Sequence, residues 1–405
     1  MTVSGARGSP AWAAEELAGP ELGVARASRA QAVVDLGAIR ENVRRLRAVT
    51  GVDVMAVVKA DGYGHGLLPA ARAAVRGGAS WLGVAFVEEA LALRMAGIDV
   101  PILCLLAAPG ERFAEAIAAD VDLAVSAEWA LSEVCRAATT AGRTARIHLE
   151  VDTGLSRGGA TPAEWPDLLA ATAQARAAGL VEVVGIWSHL VHGDNPEHAD
   201  TTVQVERFDE ALAVAERFGI RPAVRHLANS GGALLAPRTR YDLVRPGIAV
   251  YGLSPAPALV SAGELGLRPA MHLRAQVALV KELPAGEGIS YGHRYRTLRP
   301  TRVALIPLGY ADGIPRQATN VAPVWFPAVG RRTISGTVCM DQFVVDVGPD
   351  APVAAGDDVV IFGPGDDGEP TADEWASAVG TISYEIVSRI GARVPRVYRD
   401  DDTAG

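Results

Sequence analysis

The 405-residue sequence predicts a (β/α)8 barrel of the TIM type followed by a mostly antiparallel β domain. Three observations lead there. Eight short apolar runs alternate with Ala-rich amphipathic stretches from about Val52 onward. Runs apolar on both faces and joined by helices indicate a parallel sheet, and eight of them favour a closed barrel over a doubly wound open sheet. After about Gly263 the apolar segments lie close together with Gly and Pro between them, the pattern of antiparallel strands and hairpins.

Residues 1–29 contain no continuous apolar core followed by a small-residue cleavage site, so they are expected to form a flexible tail and not a signal peptide. The barrel is expected over residues 30–263. Its strands are "VDVMAVV", "WLGVAF", "PILCLL", "VDLAVS", "ARIHLEV", "LVEVVGIWSHL", "AVRHLAN" and "LVRPGIAVYG". Stretches such as "GLLPAARAAVRGGA" and "AEWALSEVCRAATTAG" supply the intervening helices. The β domain is expected over residues 264–400, from "RPAMHLRAQVALVKEL", "TRVALIPLGY", "RRTISGTVCMDQFVVDV" and "DDVVIFG". One helix is expected there, because Thr371 stands three residues before Glu374 in "TADEWASAVG", a capping box. The closing "RDDDTAG" reads as a frayed end.

A net charge of -9, with no basic run and no Lys/Arg stripe interleaved with aromatics, argues against a nucleic-acid partner. No uncharged apolar run is long enough to span a bilayer. The three cysteines, Cys104, Cys135 and Cys339, are too scattered for a disulfide framework. A reducing compartment, the cytoplasm, is therefore expected.

A parallel barrel carries its active site at the C-terminal ends of its strands. The first strand ends at Lys59 in "VVKADGYGHG", with Tyr63 just beyond. An ammonium there is costly unless something uses it. Either it snorkels to the surface or its amine is poised for covalent chemistry with a carbonyl, and this stretch alone does not separate the two. The fifth strand runs into "EVDTGLSRGG", which offers Glu150, Asp152 and Arg157. The sixth ends at His189, the seventh in "ANSGG" with Asn229 and Ser230, and the eighth carries Arg245, Gly247 and Ile248. "NSGG" suits a phosphate through a hydroxyl and free backbone N–H groups, or is a plain Ser/Gly helix start. A lone His189 is commonly a core histidine, and Arg157 has Asp152 as an available partner. Taken together on one face, these groups suit a phosphorylated aldehyde bound as a Schiff base to lysine: pyridoxal 5′-phosphate.

"VVKADGYGHG", "HLEVDTGLSRGG", "HLANSGG", "RPGIAVYGLSP", "ISYGHRY", "IPLGYADGIPR" and "TVCMDQ" follow one another from about Ala30 to Arg396. In this order and spacing they resemble alanine racemase. The resemblance implies a pyridoxal-phosphate-dependent barrel joined to a β domain, working as a head-to-tail homodimer on alanine and supplying D-alanine for peptidoglycan. It implies that Lys59 carries the cofactor and that Tyr63, Ser230, Gly247, Ile248 and Tyr384 hold its phosphate. Arg245 would face the pyridine nitrogen, with His189 beside it. Arg157 would steady the cofactor's phenolic oxygen and the substrate carboxylate, and Met340 from the partner would offer that carboxylate its backbone. Tyr291, also from the partner, would be the second catalytic base. Asp194 and Arg316 would line an inner gate with Tyr291 and Tyr384. A broader-specificity amino-acid racemase and a non-catalytic pyridoxal-phosphate-binding protein remain as alternatives. The latter resembles the barrel alone, whereas this chain keeps the β domain and Tyr291.

Racemisation removes a proton from one face of an α-carbon and delivers one to the other, which calls for two bases on opposite faces. Lysine and tyrosine both have high unperturbed pKa values that surrounding positive charge lowers. Many members of the family carry a carbamylated lysine where this chain has Glu150. The carboxylate is expected to supply that anion to Arg157 directly, unless Glu150 merely faces solvent. "HLVHGDNPEH", with His189, His192, Asp194 and His198, fits no common zinc spacing, and no metal is expected.

Overall fold

The computed structural model describes residues 28–195 and 197–400. The expectations for residues 1–27 and 401–405 lie outside the described residues. Arg29, placed in the tail by the sequence, is anchored: its Nη2 donates to Asp312 at 2.7 Å.

The barrel strands are β2 (Asp53–Val57), β3 (Trp81–Val84), β4 (Ile102–Cys104), β5 (Val121–Val125), β6 (Ala145–Glu150), β7 (Val181–Trp187), β8 (Val224–His226) and β9 (Leu243–Val244). They form one parallel sheet in the order β8-β7-β6-β5-β4-β3-β2-β9, the eight runs expected. The sheet is drawn toward closure between β8 and β9, where Asp242 N–H donates to the Arg225 carbonyl (3.1 Å) and Arg245 N–H to that of Ala228 (2.9 Å). Alternation sorts the side chains. Val54 and Ala56 pack under the helices, while Met55 joins Trp81, Leu103, Ala124, Val184 and Trp187 in a separate cluster within the barrel.

One boundary is corrected. β1 (Ala30–Asp35), assigned to the barrel by the sequence, pairs antiparallel with β10 (Met271–Gln276) and parallel with β19 (Arg396–Arg399). It belongs to a six-stranded sheet of the second domain, beside β15 (Pro323–Phe326), β16 (Gly330–Thr333) and β18 (Asp358–Phe362). The first described strand therefore lies in the second domain, and the chain crosses from it to the barrel through the helix Leu36–Thr50, whose N-cap is Asp35. A three-stranded sheet of β11 (Leu279–Leu283), β14 (Thr301–Ile306) and β17 (Phe343–Gly348) completes the domain with the hairpin β12 (Gly288–Ile289) and β13 (Tyr295–Arg296).

The capping box forms as expected, with Thr371 and Glu374 bonded reciprocally, and the helix Ala372–Val379 buries Trp375. A second helix, Ser383–Ser388, was not expected, and it positions the site. It packs on the segment Lys59–Tyr63, so closely that a Cβ on Gly64 would overlap the Val387 carbonyl. Through it the second domain delivers Tyr384 to the barrel mouth. Among the described residues no helix is long and apolar enough to cross a membrane.

Candidate active site

Beyond β2 the chain makes a left-handed turn: φ is 54° at Ala60, 53° at Asp61, 61° at Gly62 and 54° at Tyr63. Each non-glycine residue held there costs about 1–2 kcal/mol, so the surroundings must impose the shape. Glu89 does much of this. Its carboxylate accepts from Ala60 N–H (2.7 Å) and from Ala85 (2.8 Å) and Phe86 (3.3 Å), binding the turn to the end of β3. Asp61 accepts from Leu67 N–H at 2.7 Å. His65 Nδ1 lies 3.1 and 3.0 Å from the Gly62 and Tyr63 carbonyls, which fixes its proton on Nδ1. Sequence reasoning missed Glu89. The available signal was a Glu at the third position of the helix Val87–Met95, which announces a cap but not a reach back across 29 residues. Glu89→Ala leaves three N–H groups without their acceptor and is expected to lose about 1–3 kcal/mol of stability. Urea unfolding at constant m-value is the check.

The turn sets Tyr63 against the end of the eighth strand. Its ring stacks on Tyr251 (centroids 5.0 Å apart) and tilts against Tyr384 at 6.2 Å. Ser230 Oγ accepts from the N–H of Gly247 (2.9 Å) and of Ala249 (3.3 Å), binding the seventh and eighth strand ends together. Only a glycine fits at 247, because a Cβ there would overlap the Tyr63 hydroxyl. Ile248 is buried and opens the 3-10 turn Ile248–Tyr251. Asn229 caps the helix Ser230–Leu235, its side chain accepting from Gly232 N–H at 3.1 Å. Burial raises both Tyr63 and Tyr384, the latter to about 12, so each remains a neutral hydroxyl.

Arg245 is 4 % exposed and committed on four sides. Nη1 donates to the His226 carbonyl (2.8 Å) and lies 3.1 Å from His226 Nδ1. Nη2 donates to the Ser188 carbonyl (2.7 Å) and lies 3.2 Å from His189 Nδ1. A guanidinium only donates, so His189 Nδ1 accepts and its proton sits on Nε2. Among the described residues Nε–H is the Arg245 donor left over. Burial pushes the group down to about 9, which still leaves it charged at neutral pH.

Lys59 is half-buried and makes no hydrogen bond among the described residues. Burial lowers its pKa, Arg157 and Arg245 lower it further, and Glu89 works against them. Asp152 does not pair with Arg157. It accepts from Gly154 (2.8 Å) and Ser156 (3.1 Å) N–H groups and shapes the loop instead. Glu150 does not face solvent, being 8 % exposed. Burial raises it to about 7 against the pull of Arg245 and Arg157.

Three expected residues stay apart from this cluster within the chain. Tyr291 is 74 % exposed and Met340 53 %. They stand on neighbouring loops of the second domain, tied by Thr337 Oγ1 to the Tyr291 carbonyl (2.7 Å) and by Ser290 Oγ to that of Thr337 (2.6 Å). Arg316 lies in the 3-10 turn Arg316–Ala318 and makes no ion pair with Asp194 among the described residues. Asp194, in contrast, is close enough to raise Tyr384. The donor atoms of His192, His198 and Asp200 lie within 4.8 Å of one another. Their rings stack at 3.7 Å, and His198 Nδ1 accepts from Asp200 N–H to cap the helix Ala199–Arg217. That lone pair is already in use.

A half-buried lysine amine eased toward its neutral form stands at the mouth of a parallel barrel, where enzymes of this architecture carry their active sites. The family model for the N-terminal domain of alanine racemase matches residues 34–255, and that for its C-terminal domain residues 270–398. The chain belongs to the alanine racemase family and is an isomerase. Alanine racemase of Frankia casuarinae is 60 % identical over 371 residues, 91 % of this chain and 96 % of that one. The Thermobifida fusca enzyme is 58 % identical over 372 residues, 92 % and 98 % of the two chains. Among solved structures, alanine racemase from D-cycloserine-producing Streptomyces lavendulae superposes with a TM-score of 0.91 at 53 % identity, covering 93 % of this chain and 98 % of that one.

Proposed function

We propose that the protein interconverts L- and D-alanine with pyridoxal 5′-phosphate, as a cytoplasmic homodimer that supplies D-alanine for peptidoglycan. The observation that carries this reading is the half-buried Lys59 amine, without a hydrogen bond among the described residues and eased toward neutrality by burial, Arg157 and Arg245. The residues around it fit the cofactor. Tyr63, Ser230, Gly247, Ile248 and Tyr384 would take the phosphate, since the Tyr63 hydroxyl lies against the Gly247 backbone, with the Tyr384 ring beside that of Tyr63. Arg245 would offer Nε–H to the ring nitrogen and, unable to accept a proton, would keep that nitrogen unprotonated.

Bound pyridoxal phosphate draws electron density from the substrate's α-carbon and acidifies its proton. Lys59, as a neutral amine, takes that proton on one face and, as an ammonium, returns one there. Tyr291 of the partner subunit serves the opposite face. Arg157 and the partner's Met340 backbone hold the carboxylate, so the α-carbon stays between the two bases while its substituents invert. Asp194 beside Tyr384, with Arg316 brought up by the partner subunit's second domain, would form an inner gate that admits a small side chain.

Glu150 supplies the anion beside Arg157, with no carbamylated lysine needed. Its carboxyl takes a proton as pH falls through about 7, so racemisation is expected to decline on that limb. Glu150→Gln is expected to lose about tenfold at pH 8 and to show a flatter acid limb, read from a kcat profile. The stability sign follows from the raised value. The folded state binds the proton more tightly, so stability is fullest below the ordinary 4.5 and declines as pH rises through about 7. Glu150→Gln removes that decline and is expected to gain about 1–3 kcal/mol at pH 8.

Incubation with L-alanine in D2O tests the function. D-alanine carrying α-deuterium supports two-base racemisation. Deuterated L-alanine without D-alanine would limit the chain to one working base. Exchange of neither kind would overturn the reading.

A further inference from the structure

The barrel interior contains a line of polar groups where such barrels ordinarily carry apolar layers. It begins at Asp122 on β5, passes through His148 on β6 and His226 at the end of β8, and finishes at Arg245. All four are buried. Asp122 Oδ2 lies 3.2 Å from His148 Nε2, His148 Nδ1 lies 2.9 Å from His226 Nε2, and His226 Nδ1 lies 3.1 Å from Arg245 Nη1. At the outer end Arg146 holds both Asp122 oxygens, at 2.7 and 3.2 Å.

The protons can be placed by elimination. Arg245 only donates, so His226 Nδ1 accepts and carries its hydrogen on Nε2. His148 Nδ1 must then accept, and its own hydrogen on Nε2 goes to Asp122. Every bond runs one way, from guanidinium to carboxylate. Both imidazoles are lowered by burial, and Arg245 lowers each further, so both are neutral at pH 7. Asp122 accepts at the far end of the line, so carboxylate and guanidinium select the same tautomers; with the carboxylate gone, Arg245 alone opposes the reverse set, which would place an N–H of His226 against one of its own.

The fold makes room for this line. A Cβ on Gly185 of β7 would overlap the His148 ring, so a barrel position is left without a side chain to admit it. Trp187 lies parallel to the His226 ring (interplanar angle 1°), and the Arg245 guanidinium sits 4.8 Å from the Trp187 ring centroid. Burying a carboxylate, two imidazoles and a guanidinium gains little stability over apolar packing of the same volume. A demand of the site explains it better.

We propose that Asp122 is a positioning residue for Arg245: through His148 and His226 it fixes one direction for every hydrogen bond, and so orients the guanidinium toward the cofactor's ring nitrogen. The proposal rests on Arg245 facing that nitrogen. His148→Gln and His148→Leu separate direction from mere packing. A glutamine can accept from His226 and donate to Asp122, as the imidazole does, whereas leucine does neither. Gly185→Ala keeps every member of the line but displaces the imidazole, and melting curves establish that each variant is folded.

The readouts are ring-¹⁵N spectra of histidine-labelled holoenzyme and of bound pyridoxal phosphate labelled at its ring nitrogen. His148→Gln is expected to leave His226 as the Nε2–H tautomer and the cofactor nitrogen unprotonated. His148→Leu, Asp122→Asn and Gly185→Ala are expected to mix the His226 tautomers, partly protonate the cofactor nitrogen, and lower kcat about tenfold at nearly constant KM. Folded His148→Leu enzyme with unchanged His226 and cofactor spectra would overturn the proposal. A protonated cofactor nitrogen in the wild-type enzyme would instead overturn the placement of Arg245, while the His226 tautomers still decide whether Asp122 directs the line.

Discussion

Lys59→Ala is expected to lower alanine racemisation by about 10²–10⁴-fold, the range for removing a positioned acid–base group, with the loss of covalent attachment added to it. Borohydride reduction followed by peptide mapping should place a cofactor-derived mass on Lys59 in the native enzyme and nowhere in the variant. Two readings of this lysine compete, and this experiment separates them. A side chain that only snorkels to water would be replaceable with little loss. The surroundings favour the chemical role, because burial, Arg157 and Arg245 press the amine toward neutrality against the pull of Glu89, and no hydrogen-bond acceptor among the described residues holds its proton. The stability sign agrees. A lysine whose folded pKa is depressed favours folding only above its ordinary value and weighs against it at lower pH. Lys59→Ala should therefore not destabilise the fold at pH 7, which thermal denaturation would reveal. Activity within tenfold of native would return Lys59 to the surface-lysine reading.

The barrel was legible because its code is coarse: eight apolar runs alternating with amphipathic helices need only composition and spacing. Lys59, Ser230 and Arg245 were legible for the same reason, since strand ends in a parallel barrel share one face. What was missed depended on distant partners. "AQAVVD" in β1 reads as a strand, but nothing local says that it pairs with β10 and β19, more than two hundred residues away. The helix Ser383–Ser388 has six residues and no side-chain N-cap, so it left neither a periodic stripe nor a start signal. Tyr384 entered only through resemblance. Asp122 and His148 stood inside runs that read as strand core, and their alignment with His226 appears only once β5, β6 and β8 are set side by side.

Tyr291→Phe is expected to match Lys59→Ala in severity, about 10²–10⁴-fold, although the tyrosine touches nothing in its own chain's barrel site. Its setting makes the case. Tyr291 is flanked by Ser290 at φ 61° and His293 at φ 43°, two non-glycine residues in the left-handed region. That strain projects a large aromatic ring into solvent, which benefits an isolated chain in no visible way. With only one base left, one enantiomer of alanine should still exchange its α-proton with D2O while inverting far more slowly. The stronger test combines the two inactive variants by co-expression. If each site draws Lys59 from one subunit and Tyr291 from the other, a mixed dimer contains one site with both residues and one with neither. Random pairing makes half the dimers mixed, so about a quarter of the native activity should return. If both bases come from one chain, every site in the mixture lacks one of them, and the co-expressed pair stays as inactive as either parent.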